Sequence, residues 1–317
     1  MQPGRFEAAY VGLLRSGELD RRVAALGALL APCRLCPREC GVDRRRELGR
    51  CATPDAPVVA SWGPHFGEEP PLSGARGSGA IFLANCNLRC VFCQNADISQ
   101  RPKDFIGRTV TVERLAAIMI ELQEQGCHNV NWVSPTHQLP QLVAALAIAA
   151  RAGLTVPIVY NTNAFDSVKA LALLDGIVDV YMPDLKYADD RAATALSRVR
   201  GYPAFARAAI AEMFRQVGER WRTSGDGALQ RGMLVRVLIL PHDLAGVEAT
   251  LRWLATALSP RIAVSLMSQY RPSHWAARPG RYPQLCRRVT PSEYLTAVAA
   301  LEKWNEGCET LLQPNRG

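Results

Sequence analysis

The chain has 317 residues, 48% of them hydrophobic, and a formal net charge of +8. That length suits one large α/β domain with an appendage, or two small domains, and no run of 18 uninterrupted apolar residues marks a membrane span. The basic excess is mostly arginine spread along the chain, the lysines being Lys103, Lys169, Lys186 and Lys303. No zinc-finger, helix-turn-helix or RNP-type motif accompanies it, so a nucleic-acid partner is not expected.

In chain order, the N-terminus lacks the basic-then-apolar pattern of a signal peptide. Ten cysteines without an export signal point to thiols serving as metal ligands in a reducing cytoplasm. Residues 5–31 read as two short amphipathic helices, with Val23, Leu26, Leu29 and Leu30 at a helical period. Next comes a knuckle, Cys33-x2-Cys36-x3-Cys40-x10-Cys51. Four thiolates so close together suit a structural zinc or a second iron–sulfur cluster, and the spacing does not separate the two. Arg34, Arg38, Arg44, Arg45, Arg46 and Arg50 would offset thiolate charge in either case. Residues 57–78, rich in Pro and Gly, read as a loop leading onto the main domain.

From residue 79 the pattern alternates. Strands are predicted at 79–84, 128–133, 156–160, 177–182, 232–239 and 262–267. Helices are predicted at 111–125, 138–152, 166–174, 203–218, 244–258 and 291–305. The clearest helix has Thr111 as its cap and an apolar stripe of Leu115, Ile118, Met119 and Leu122. Alternation of this kind implies a parallel sheet with right-handed crossovers. Six units rather than eight give a partial (β/α)6 TIM-like barrel, an α/β fold with an N-terminal Cys-rich helical appendage. The expected boundaries are 1–56 for the helices and knuckle, 57–275 for the barrel core and 276–317 for a C-terminal helical extension.

A second cysteine run, Cys86-x3-Cys90-x2-Cys93, follows the first barrel strand. Three thiolates can ligate three irons of a [4Fe-4S] cluster and leave the fourth iron open to a ligand. In parallel barrels the chemistry lies at the C-terminal ends of the strands. Those ends carry Ser134, Thr136 and His137, then Asn161, Thr162 and Asn163, then Met182, Asp184 and Lys186, then Arg236, and last Gln269 and Tyr270. Lys186 stands out in a chain that otherwise uses arginine, which suggests a need for its compact ammonium. Cys127, Cys286 and Cys308 read as lone thiols.

The Cys86–Cys93 pattern, with Phe92 before the third cysteine, resembles the signature of the radical S-adenosylmethionine (SAM) enzymes. Asn161-Thr162-Asn163 and Met182-Pro183-Asp184-Leu185-Lys186 look like stretches of pyruvate formate-lyase activating enzymes. Across residues 33–275 the chain resembles the activating-enzyme-like proteins. The matching phrases are Cys33-Arg34-Leu35-Cys36-Pro37-Arg38-Glu39-Cys40, Gly67-Glu68-Glu69-Pro70-Pro71, Cys90-Val91-Phe92-Cys93-Gln94-Asn95, Ser134-Pro135-Thr136-His137 and Ser265-Leu266-Met267-Ser268-Gln269-Tyr270.

The resemblance implies a [4Fe-4S] cluster on Cys86, Cys90 and Cys93, with SAM at its open iron. Ser134, Thr136, His137, Asn161, Thr162, Asn163, Met182, Asp184 and Gln269 would be cofactor-binding candidates. Among these, Asn161, Thr162, Met182 and Asp184 are also candidate ligands of a monovalent cation. Lys186 and Arg236 would lie near the SAM carboxylate or the substrate as catalytic candidates. The implied reaction is hydrogen abstraction by a 5′-deoxyadenosyl radical, with reduced flavodoxin or ferredoxin as electron donor. The target would be a glycine of a partner protein or, in the alternative, a small molecule or peptide. A non-catalytic iron–sulfur redox protein is the contrasting reading. One departure matters: the Gly-Gly-Glu-Pro stretch expected after the second strand is replaced by Ser134-Pro135-Thr136-His137.

Overall fold

The computed structural model describes residues 6–105, 107–305 and 310–313; Cys308 and part of the expected C-terminal extension lie outside them. Two helices open the chain, α1 (Ala9–Ser16) and α2 (Glu18–Ala28), followed by the knuckle. Then come β1 (Val59–His65), α3 (Pro70–Ser73), β2 (Ser78–Leu83), α4 (Ala96–Ser99), α5 (Val112–Glu124), β3 (Val130–Val133) and α6 (Leu139–Arg151). Next are β4 (Ile158–Thr162), α7 (Val168–Ala172), β5 (Val180–Leu185), α8 (Asp190–Ser197), α9 (Tyr202–Val217), β6 (Arg222–Thr223) and β7 (Leu229–Leu238). The last elements are α10 (Val247–Ala257), β8 (Ala263–Met267), α11 (Pro291–Trp304) and β9 (Thr310–Gln313).

The sheet runs in the order β1-β2-β3-β4-β5-β7-β8-β9 without closing. From β2 to β9 neighbouring strands are parallel, β1 is antiparallel on the edge, and β6 pairs antiparallel with β7. The six predicted strands are β2, β3, β4, β5, β7 and β8, so the architecture is the expected partial barrel.

Strand side chains alternate between the two faces. Outward positions such as Ile81, Trp132, Tyr160, Tyr181, Val235 and Leu266 are buried in the main core. Inward positions Val159, Val180, Met182, Leu234 and Ala263 form a separate small core with Leu72 of α3. Further along the same faces the inward residues turn polar: Asn161 follows Val159, Asp184 follows Met182, and Arg236 follows Leu234. Sheet register sets Asp184 beside Arg236 and Arg236 beside Ser265. Strand periodicity thus places the charges on the inside of the barrel, at its C-terminal end.

Residues 310–313, expected in a helical extension, form β9 parallel to β8 and add a seventh parallel strand among the described residues; three other segments differ from expectation for local reasons. Residues 59–65 form β1 instead of loop; Gly63 and Pro64 obscure a strand that is tolerated at a sheet edge. Residues 219–231, expected to be a connecting loop, double back as β6 against an early start of β7. Helix α8 carries few apolar residues and is started by Asp189, whose carboxylate accepts from the backbone N–H groups of Arg191 and Ala192.

Candidate functional site

After β2 the chain turns at Asn85 (φ 68°) into the Cys86–Cys93 loop. Leu88, Val91 and Phe92 are buried in the core and anchor this loop. The backbone N–H groups of Arg89 and Val91 donate to the carbonyls of Ser197 and Leu196 in α8. Cys86, Cys90 and Cys93 consequently line one cleft of about 380 Å³ at the C-terminal end of the strands. That volume is within the range of small-molecule sites.

Each sulfur has polar neighbours. Cys86 Sγ accepts from Leu88 N–H at 3.4 Å and from Asn163 Nδ2 at 3.5 Å. Cys90 Sγ lies 2.9 Å from Ser197 Oγ, and Cys93 Sγ 3.2 Å from Ser99 Oγ. Burial pushes the Cys90 thiol up to about 12, with the Lys186 charge pulling the other way. Burial raises Cys86 as well, so without a metal Cys86 and Cys90 hold protons that loading a metal would release.

Opposite the thiols is a buried charge network. Asp184 accepts from Lys186 Nζ and from Arg236 Nε, each at 2.6 Å. Arg236 also donates to Asn161 Oδ1 at 2.7 Å and to Glu68 Oε2 at 3.3 Å, with Glu69 3.8 Å away. Glu68 further accepts from Asn131 and Asn161, and Glu69 from Ser265. Burial alone would raise Asp184, but Arg236 and Lys186 outweigh it and hold the carboxyl below its usual range. Burial would lower Lys186, but Asp184 outweighs it and raises the ammonium's value. Burial raises Glu68 against the opposing pull of Arg236. Counting Glu68 and Glu69, three carboxylates face two cations, a formal excess of one negative charge.

The cleft brings together the three cysteines, Ser134, Asn161, Thr162, Asn163, Asp184, Lys186, Arg236 and Gln269. Three other candidates lie elsewhere. Met182 packs in the small core below the cleft. Thr136 is buried and donates to Asp166 Oδ1 at 2.7 Å. That carboxylate also takes the hydroxyls of Tyr160 and Thr162, so the Thr162 hydroxyl is already engaged there. His137 is buried in the wall of the knuckle void. The four knuckle thiols Cys33, Cys36, Cys40 and Cys51 line that void together. Cys127 and Cys286 are free thiols outside both sets.

Sequence reasoning did not assign Glu68, Glu69, Ser99 or Ser197 to the site. The two glutamates carried a signal, an adjacent acidic pair in a Gly/Pro-rich segment just before the first parallel strand. The serines had none, because α4 and α8 bring them to the sulfurs only in the folded chain.

This fold and cleft define a class: an open parallel barrel with three thiols and a compact charge network on its C-terminal rim. Residues 81–232 match the radical SAM superfamily. That stretch, from β2 to the start of β7, is a radical SAM domain, and a domain of that kind implies an enzyme that uses a [4Fe-4S] cluster and SAM. The residues present fit those groups: three thiols on one loop and, across the cleft, cationic, acidic and amide side chains suited to an amino-acid ligand. The chain is 29% identical to an uncharacterised protein of Methanocaldococcus jannaschii over 296 residues, 90% of this chain and 79% of that one. A radical SAM methyltransferase from Sphaerobacter thermophilus has a similar fold, with a TM-score of 0.50 and 17% identity over 75% of this chain and 67% of that one. A structure of TYW1 with a lysine-pyruvate adduct bound aligns with a TM-score of 0.40 and 10% identity, over 71% of this chain and 73% of that one. No helix among the described residues is long and apolar enough to cross a membrane.

Proposed function

We propose that this radical SAM enzyme acts as an activating enzyme, abstracting a hydrogen atom from a glycine of a partner protein. The observation that carries the reading is the single cleft in which Cys86, Cys90 and Cys93 face the Asp184–Lys186–Arg236 network. When bound there, the cluster and SAM supply one-electron reductive cleavage to methionine and a 5′-deoxyadenosyl radical.

The chain's own groups prepare the site. Lys186 and Arg236, fixed by Asp184, offer cationic donors to a carboxylate. Glu68 supplies an acidic group for an amine, and the net negative balance of the cleft favours a sulfonium. Ser134, Asn163 and Gln269 add neutral hydrogen-bonding groups. Arg236 and Lys186 already engage the oxygens of Asn161 and Asp184 that a monovalent cation would use, so the chain's own cations take that part. Leu72 and the small core beneath close the lower end of the barrel, so the partner's glycine loop enters from the rim. The reading includes reduced flavodoxin or ferredoxin as electron donor in a reducing cytoplasm.

The test is anaerobic incubation with SAM and dithionite, followed by assay for 5′-deoxyadenosine and electron paramagnetic resonance on candidate partners. A persistent doublet on a partner supports activation. SAM-dependent turnover of a small molecule or free peptide, with no protein radical, replaces it with the alternative target. No 5′-deoxyadenosine at all sinks the reading.

A further inference from the structure

The knuckle thiols lie outside the cleft and before the matched residues 81–232. Cys33 and Cys51 are buried, Cys36 and Cys40 half-buried, and all four line one small void with His137 and Gly49. Three features mark this void as built for a ligand. A Cβ on Gly49 would stand 3.3 Å from Cys40 Sγ, so the bare glycine keeps that side of the void clear. The backbone N–H of Arg50 donates to Cys40 Sγ at 3.4 Å, as that of Leu88 does to Cys86 Sγ. His137, 2% exposed, has Nε2 at 2.9 Å from the Ala84 carbonyl. Its hydrogen is therefore on Nε2, leaving Nδ1 as a buried acceptor with no partner.

A zinc ion and a four-iron cluster both accept four thiolates; what favours the cluster is the knuckle's direct contact with the Cys86–Cys93 loop, since zinc has no electron to pass.

We propose that Cys33, Cys36, Cys40 and Cys51 hold a second iron–sulfur cluster, closed by four thiolates, that carries electrons to the cysteine loop of the cleft. A closed cluster has no open iron for a substrate, which leaves electron transfer as its chemistry. Two short routes connect the cysteine sets. Arg38, two residues after Cys36, donates to the carbonyl of Asn87, the neighbour of Cys86, at 2.6 Å. Arg89, the neighbour of Cys90, donates to the carbonyl of Arg50, the neighbour of Cys51, at 3.0 Å. The carrier takes one electron from a low-potential protein donor, passes one to the Cys86–Cys93 site and returns to its oxidised form. This carrier role rests on the proposed function; the metal site does not.

The test uses the full chain with Cys86→Ser, Cys90→Ser and Cys93→Ser together, purified without oxygen and reconstituted with iron and sulfide. This variant should keep about four irons and four sulfides per chain and, after dithionite, show the paramagnetic signal of a one-electron-reduced four-iron cluster. One zinc, or no metal in a variant whose circular dichroism is native, overturns the proposal whatever the unaltered chain does with SAM. Conversely, Cys36→Ser alone should lose about four irons while the cleft keeps its own. Rapid mixing of that variant with reduced flavodoxin should lose the fast phase of cleft-cluster reduction; unchanged kinetics overturn the carrier role.

Discussion

The Cys86–Cys93 loop and the Cys33–Cys51 knuckle share a local device, a backbone N–H, of Leu88 in one and Arg50 in the other, that donates to a cysteine sulfur. Their surroundings are opposite. The loop offers three thiols to a cleft of about 380 Å³ whose far wall is charged. The knuckle wraps four thiols around a void held shut by Arg44, which is 2% exposed and donates to the carbonyls of Thr53, His137 and Pro54 at 2.5–2.9 Å. The contrast teaches that the chemistry follows from the ligand withheld: a missing fourth thiolate next to open space makes a reactive site, and a supplied one makes a sealed site.

The largest effect should come from Cys90→Ser. It should abolish 5′-deoxyadenosine formation while knuckle iron remains, both readable in one preparation; residual turnover at the unaltered rate would break the contrast. Next is Asp184→Ala, which strands Lys186 and Arg236 in a buried site. Removing one partner of a buried ion pair costs about 3–5 kcal/mol, so denaturant unfolding should shift by that amount. A shift under about 1 kcal/mol would mean that the network behaves as a solvated surface pair.

Arg44→Met should act on the knuckle alone. Orphaned buried carbonyls cost about 1–3 kcal/mol each when nothing replaces the donor, and relaxation should limit the total to roughly 3 kcal/mol. Hydrogen exchange should quicken in residues 33–56 and stay unchanged in 180–186; equal loosening of both would show that the two regions open as one. The smallest change concerns a residue outside both sets. Asp179 accepts from the backbone N–H groups of Ala9 and Ile158, and burial pushes it up to about 7 against those bonds and Arg231. Its folded value exceeds the ~3.9 of an unfolded chain, so the linked stabilisation is complete in acid and is lost as pH rises toward 7. Between pH 5 and 7 the loss is roughly 2 kcal/mol. Asp179→Asn should flatten this profile without changing metal content.

Six of the seven parallel strands of the described residues and the three-cysteine loop were readable because both rest on short-range pattern: apolar runs at regular intervals and close thiol spacing. What escaped depended on tertiary approach. Met182 and Asp184 share one face of β5, yet the lower position joins Leu72 in a core and the upper one meets Arg236. Sequence order alone gives no height along the barrel. His137 ends a strand segment as expected but turns into the knuckle wall, a direction set by Arg44 from far earlier in the chain.

The segment from Glu68 to Leu72 precedes every parallel strand, yet it supplies two of the cleft's carboxylates and the plug beneath them. A minimal barrel cut at residue 78 would therefore be a poor experimental surrogate. It would keep every residue of the matched domain and both cations, lose the acidic majority, and open a second mouth where the native chain has a floor.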